Sequence, residues 1–157
     1  VKQGEWHRSC QHKSYRLTCA DYEALVAEAG NRCQICGTPG PSTWRRKLVI
    51  DHDHEVGQWA VRGLLCPPCN TTLPEGRTPA AEQAAYLAAP WYARFVQPLT
   101  LPEPDDGAGV SDGINGLWER SGDLWFPRKG YYREPRTWQW LLHMFGPHRI
   151  RIPKEQA

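Results

Sequence analysis

Cys33-Gln-Ile-Cys36 and Cys66-Pro-Pro-Cys69 constrain this chain more than any other feature of its 157 residues. A Cys-x-x-Cys turn lets two sulfurs reach one ion. Two such turns supply the four thiolates of a tetrahedral zinc site, at about 2.3 Å each. Such a site is closed to water, so its role is structural. It also dictates topology, because the chain between the pairs must fold back until both meet. A module of that size has a thin core of its own and gains stability from the metal. The six Cys would also allow three disulfides. A disulfide framework does not require paired Cys-x-x-Cys turns, however, and the N-terminus shows no signal-peptide pattern. No apolar run approaches the roughly 18 residues of a membrane span. A soluble, cytoplasmic protein with structural zinc on Cys33, Cys36, Cys66 and Cys69 is expected.

Between the pairs, the apolar run Leu48-Val-Ile leads into Asp51-His52-Asp53-His54-Glu55, and Asn70 follows the last Cys directly. Hydrolysis of a phosphodiester needs a divalent cation against the charge building on phosphate and leaving oxygen. It needs a base with a pKa near neutral, which points to His. It also needs oxygen ligands that hold a hard cation without filling its shell. Asp51 and Asn70 are suitable ligands, and His52 or His54 is suited to be the base. Asp53 and Glu55 are weaker candidates. Arg62 suits either a phosphate contact or an ion pair with a strand carboxylate. Adjacent side chains of a regular strand point to opposite faces, so Asp51 and His52 share one site only if the strand bends or bulges there. The plain alternative is a polar strand end and loop. A zinc deaminase is excluded: Leu65 rather than Pro precedes Cys66, and His52 lies three residues from Glu55 rather than two.

Ile50-Asp51-His52-Asp53-His54-Glu55, followed by Val61-Arg-Gly-Leu-Leu-Cys-x-x-Cys-Asn70, resembles the phage recombination endonuclease VII family, within the HNH (His-Me finger) nucleases. The resemblance covers about residues 18–90. It implies a ββα-metal core on a zinc scaffold, with Asp51 and Asn70 holding Mg²⁺ or Mn²⁺, His52 activating water and His54 assisting. It also implies a bacterial or phage origin and DNA as partner. Family members that resolve branched DNA build dimers from long helices. No such pattern follows here, so hydrolysis or nicking of DNA is the expected reaction, and branched substrates and a homodimer are expectations of the family alone.

The expected fold is α+β: a zinc-stabilised ββα-metal core with flanking helices and a small C-terminal α/β module. Residues 1–32 form a basic arm and helix. Thr18 and Asp21 have capping-box spacing, Tyr22, Leu25, Val26 and Ala29 share a helical face, and Gly30-Asn31 ends it. Residues 33–97 form the nuclease core, with a hairpin around Gly57, a helical turn opened by Cys69-Asn70, and a helix over residues 79–89. Residues 98–116, rich in Pro, Gly and Asp and free of aromatics, read as an acidic linker. Residues 117–157 predict a hairpin, a helix with Trp138, Leu141, Leu142 and Phe145 on one face, and a strand over residues 148–152.

Both ends of the chain are basic and the middle is acidic, which fits nucleic-acid phosphates meeting a carboxylate-based metal site. In the C-terminal module Arg128, Lys129, Arg149 and Arg151, like Arg62 in the core, are candidate DNA contacts, although most Trp there are expected in the core. His7, Cys10, His12 and Cys19 supply further ligand types at irregular spacing; free thiols and surface histidines are the plainer reading. A Mg²⁺-dependent DNA endonuclease is the leading expectation. A zinc-bearing nucleic-acid-binding module without activity, or a ribonuclease of similar mechanism, are the alternatives.

Overall fold

The computed structural model describes residues 10–43, 47–73, 80–96 and 99–153. The first nine residues of the expected arm, His7 among them, lie outside these. The described chain mixes helix and sheet around two hydrophobic cores.

The first core begins with a 3-10 helix, Gln11–Tyr15, and helix α1, Cys19–Ala29. Thr18 caps α1 by accepting the Asp21 N–H, and the Asp21 carboxylate accepts the Thr18 N–H in return, satisfying two orphan donors of the first turn. Gly30 adopts a left-handed conformation at φ 57° and closes the helix. Strands β1 (Val49–His52) and β2 (Val61–Leu65) form an antiparallel hairpin. Helix α2 (Pro67–Thr72) follows at once and packs on β1. Helices α3 (Ala81–Ala88) and α4 (Trp91–Phe95) complete the layer. Leu17, Leu25, Trp59, Leu64, Leu65 and Trp91 are buried together. The expected helical turn starts at Pro67, so Asn70 lies inside α2 rather than at its start; Pro at the first helical position costs nothing there.

The segment expected as a linker is not one. Strand β3, Gly109–Ser111, lies within it and pairs with β4 (Leu117–Ser121), which pairs with β5 (Leu124–Lys129). Ala108 and Val110 are buried. The physical reason lies in the tryptophans. Trp118, Trp125 and Trp138 are buried, and a buried indole N–H requires an acceptor. Those N–H groups donate to Asp112 Oδ2 at 3.2 Å, Glu103 Oε1 at 2.9 Å and the Leu101 carbonyl at 3.1 Å. All three acceptors come from the supposed linker. Asp112, itself buried, also accepts the N–H groups of Ile114, Asn115 and Gly116 on Oδ1.

Helix α5, Trp138–Phe145, buries Trp138, Leu141 and Phe145 as its periodicity predicts, with Leu142 half-buried. The strand expected at residues 148–152 reduces to one bridge, Ser111 to Arg151. The two cores are tied together. Arg16 donates to the Met144 carbonyl at 2.9 Å, Arg149 donates to the Arg16 carbonyl at 2.9 Å, and Arg149 Nη2 lies 2.5 Å from Asp21 Oδ2. Among the described residues, no helix is long and apolar enough to cross a membrane.

Candidate active site and four-cysteine cluster

The two Cys-x-x-Cys turns meet. The sulfurs of Cys33, Cys36, Cys66 and Cys69 all lie within 4.8 Å of one another, with Cys36 and Cys66 3.7 Å apart. Four thiols converging at this spacing are the donor set of a closed zinc site. The first turn is shaped by Gly37, at φ 73°, whose N–H donates to the Cys33 carbonyl at 2.8 Å. Gln34 locks it to the hairpin, donating its N–H to the Leu64 carbonyl and accepting the Leu64 N–H on Oε1. The second turn uses Cys66 as the cap of α2 and Cys69 within it. Hydrogen bonding to Thr38 draws the Cys36 thiol down to about 6, while burial pushes Cys66 and Cys69 up.

The Asp/His cluster sits at the end of β1. Asp51 pairs with Gly63 but His52 pairs with Val61, so the register shifts between them and Arg62 is the extra residue on β2. A bulge of this kind re-aims side chains locally. Asp51 is 4% exposed. Arg62 grips it with two prongs, Nε to Oδ2 at 2.8 Å and Nη2 to Oδ1 at 2.9 Å, and the Tyr86 hydroxyl donates to Oδ2 at 2.8 Å. Burial opposes the charge on Arg62, but the hydrogen bonds and charge of Asp51 outweigh it and raise its pKa. Burial, then the charge and hydrogen bond of Asp51, push the Tyr86 phenol far up, so it stays a donor. Gly63 makes room for this. A Cβ there would meet Gln34 Oε1 at 2.3 Å and the Tyr86 ring at 2.8 Å.

His52 is half-buried, with its ring against His54 at 4.2 Å between centroids and the Tyr15 ring edge-on at 5.3 Å. Burial, then the neighbouring His54, hold its pKa below the ordinary histidine value. Asp53 caps the following turn, accepting from the N–H groups of Glu55 and Val56. Glu55 is exposed. Asn70 Oδ1 is buried and has no hydrogen-bond partner among the described residues.

The expected DNA contacts divide. Arg128 and Lys129 are exposed on β5, Arg128 paired with Glu119 at 2.7 Å. Arg62 is spent on Asp51. Arg149 turns inward to Asp21 and the Arg16 carbonyl, and Arg151 bonds to the carbonyls of His148 and Ile150. Tyr86 is the site residue that sequence reading missed: it lies 35 positions from Asp51, and nothing in its spacing marks it.

Two curated relatives are each named "Gene 59 protein". One, from Mycobacterium phage D29, is 42% identical over 57 residues, 36% of this chain and 32% of its own length. The other, from Mycobacterium phage L5, is 39% identical over the same extent. The chain thus spans about a third of the length of the curated relatives it matches. No solved structure matches it significantly. The family model for recombination endonuclease VII matches residues 8–89, just over half of the chain and the whole of the hairpin, the cysteine cluster and α3, and this chain belongs to that family.

Proposed function

We propose that this chain is a Mg²⁺- or Mn²⁺-dependent endonuclease that hydrolyses phosphodiester bonds of DNA, with β1, β2 and α2 as its ββα-metal core. The observation that carries the reading is Asn70 Oδ1, a buried carbonyl oxygen without a hydrogen bond among the described residues, on a helix that packs against β1. Burying an acceptor unpaired costs about 1–3 kcal/mol, and a hard cation is the partner such an oxygen suits. Asp51, on the strand against which α2 packs, would be the second ligand of that ion. A carboxylate has about four acceptor positions, and Arg62 and Tyr86 occupy three, leaving one on Oδ1. When bound, the cation neutralises charge on the phosphate and on the leaving oxygen.

The chain's own residues supply the rest. His52, with its lowered pKa, is neutral near pH 7 and takes a proton from the attacking water. His54, its ring tilted against that of His52 at 4.2 Å between centroids, favours the neutral form of His52. Arg62 and Tyr86 fix the Asp51 carboxylate so that it does not rotate away from the ion. Zinc on the four cysteines holds α2, and with it Asn70, against the hairpin. Arg128 and Lys129, exposed on β5, are the residues of the second core we assign to phosphate contacts, Arg128 by exchanging its surface pairing with Glu119.

The test is supercoiled plasmid incubated with zinc-loaded protein, with Mg²⁺ added or omitted. Nicked or linear product only in the presence of Mg²⁺ is the expected result. Plasmid bound but intact in Mg²⁺ and in Mn²⁺ overturns the reading in favour of a binding module, and cleavage of RNA alone overturns the choice of substrate.

A further inference from the structure

Cys10, His12 and Cys19 lie outside the proposed reaction centre and outside the four-cysteine cluster, yet they converge. One donor atom from each comes within 4.8 Å of the other two. Among the described residues only this triad and the four cysteines bring three or more His, Cys, Asp or Glu donors so close. Cys10 Sγ and Cys19 Sγ stand 3.9 Å apart, against 3.7 Å for Cys36 and Cys66. Two sulfurs at about 2.3 Å from one tetrahedral ion are separated by roughly 3.8 Å. Both pairs therefore have the spacing of thiolates that share an ion.

The surroundings are built rather than incidental. His12 is 8% exposed and Cys19 8%, with the His12 ring stacked on Tyr22 at 4.7 Å and 15°. Cys10 precedes the 3-10 helix, His12 lies within it, and Cys19 is the first residue of α1. The turn that returns the chain passes through Arg16, a non-glycine residue at φ 58°. That strained conformation, costing about 1–3 kcal/mol, needs surroundings that over-determine it.

We propose that Cys10, His12 and Cys19 bind a second zinc ion, which clips the 3-10 helix onto the start of α1. Two thiolates and an imidazole suit zinc over the hard cations, and water would complete the tetrahedron. The clip would fix Tyr15, at the end of the 3-10 helix, whose ring stands edge-on to His52. The inference concerns metal content and holds whether or not the chain is a nuclease.

The experiment is zinc stoichiometry of the full chain by native mass spectrometry, for the wild type and for Cys10→Ser. Two zinc ions in the wild type and one in Cys10→Ser are expected. One zinc in both, or a wild type whose mass shows Cys10 and Cys19 joined as a disulfide, overturns the proposal. Should Cys10→Ser fail to fold, titration of the reduced wild-type apoprotein with Co²⁺ decides. Thiolate-to-cobalt absorption that saturates at two equivalents supports the second site, and saturation at one equivalent overturns it.

Discussion

Asp51 and Arg62 face each other across the register shift of the β1–β2 hairpin and form a two-pronged ion pair, Nε to Oδ2 at 2.8 Å and Nη2 to Oδ1 at 2.9 Å. Their side chains are only 5% and 14% exposed. Removing one partner of a buried pair leaves an uncompensated charge, at a cost of about 3–5 kcal/mol. Arg62→Ala should therefore destabilise the zinc-loaded protein by that order in chemical denaturation. Arg62→Lys should recover only part, since an ammonium lacks the fork. Tyr86→Phe should cost less, about 1.5–3 kcal/mol for one hydrogen bond to a charged group. A wild-type midpoint for Arg62→Ala would mean that the pair does not hold the hairpin.

The pH dependence of cleavage follows from His52. Burial, then His54, lower its pKa below the ordinary value of 6.5. A base works in its neutral form, so the midpoint of the acid limb of the rate should lie below the ordinary histidine value of 6.5. His54→Ala removes one lowering influence, and its acid limb should move to higher pH. A limb that stays in place, or moves the other way, would show that His54 does not tune His52.

A second histidine governs stability rather than rate. His148 is held down at about 4, first by burial and then by Arg149, with Asp21 opposing and Arg151 adding to the effect. Its ring lies 5.6 Å from Trp59, where the two cores meet. A folded-state pKa below the unfolded one means that the unfolded chain binds the proton more readily. The stability contributed by neutral His148 is present above the ordinary pKa of 6.5 and is lost progressively as pH falls towards 4. His148→Phe should flatten the thermal midpoint between pH 7 and pH 4.5 relative to the wild type, as read by circular dichroism.

Metal removal should unfold the first core and spare the second for longer. Chelation frees Cys33, Cys36, Cys66 and Cys69, and the Cys-x-x-Cys turns lose what joins them to one another. The second core, built on Trp118, Trp125 and Trp138, contains none of these residues. Hydrogen exchange after chelation should show early loss of protection in β1, β2 and α2, and retained protection in β4, β5 and α5. Uniform loss would mean that the ties through Arg16 and Arg149 make the two cores one cooperative unit.

What the sequence made legible was spacing and residue chemistry. The capping box of α1, the hairpin and the buried face of α5 follow from short-range spacing, and the meeting of the two Cys-x-x-Cys turns, although Cys36 and Cys66 are 30 positions apart, follows from the shared chemistry of four sulfurs. What it hid was set by packing in the folded chain. Residues 98–116 have linker composition, but Leu101, Glu103 and Asp112 serve as acceptors for indoles farther along the chain. Asp112 looks like any turn residue until its four donors are seen together. Arg62 offered two readings that sequence left balanced; the structure pairs it with Asp51. Tyr86 gave no signal at all, because α3 carries it to Asp51 only once the chain is folded.

The proposed reaction depends above all on His52 as the base of a phosphodiester-hydrolysing site. Single-turnover cleavage of duplex DNA at saturating Mg²⁺, for the wild type and His52→Ala at equal zinc content, tests it most directly. A loss of about 10²–10⁴-fold is expected in the variant, the usual worth of a positioned general base. Equal rates for the two proteins would contradict it.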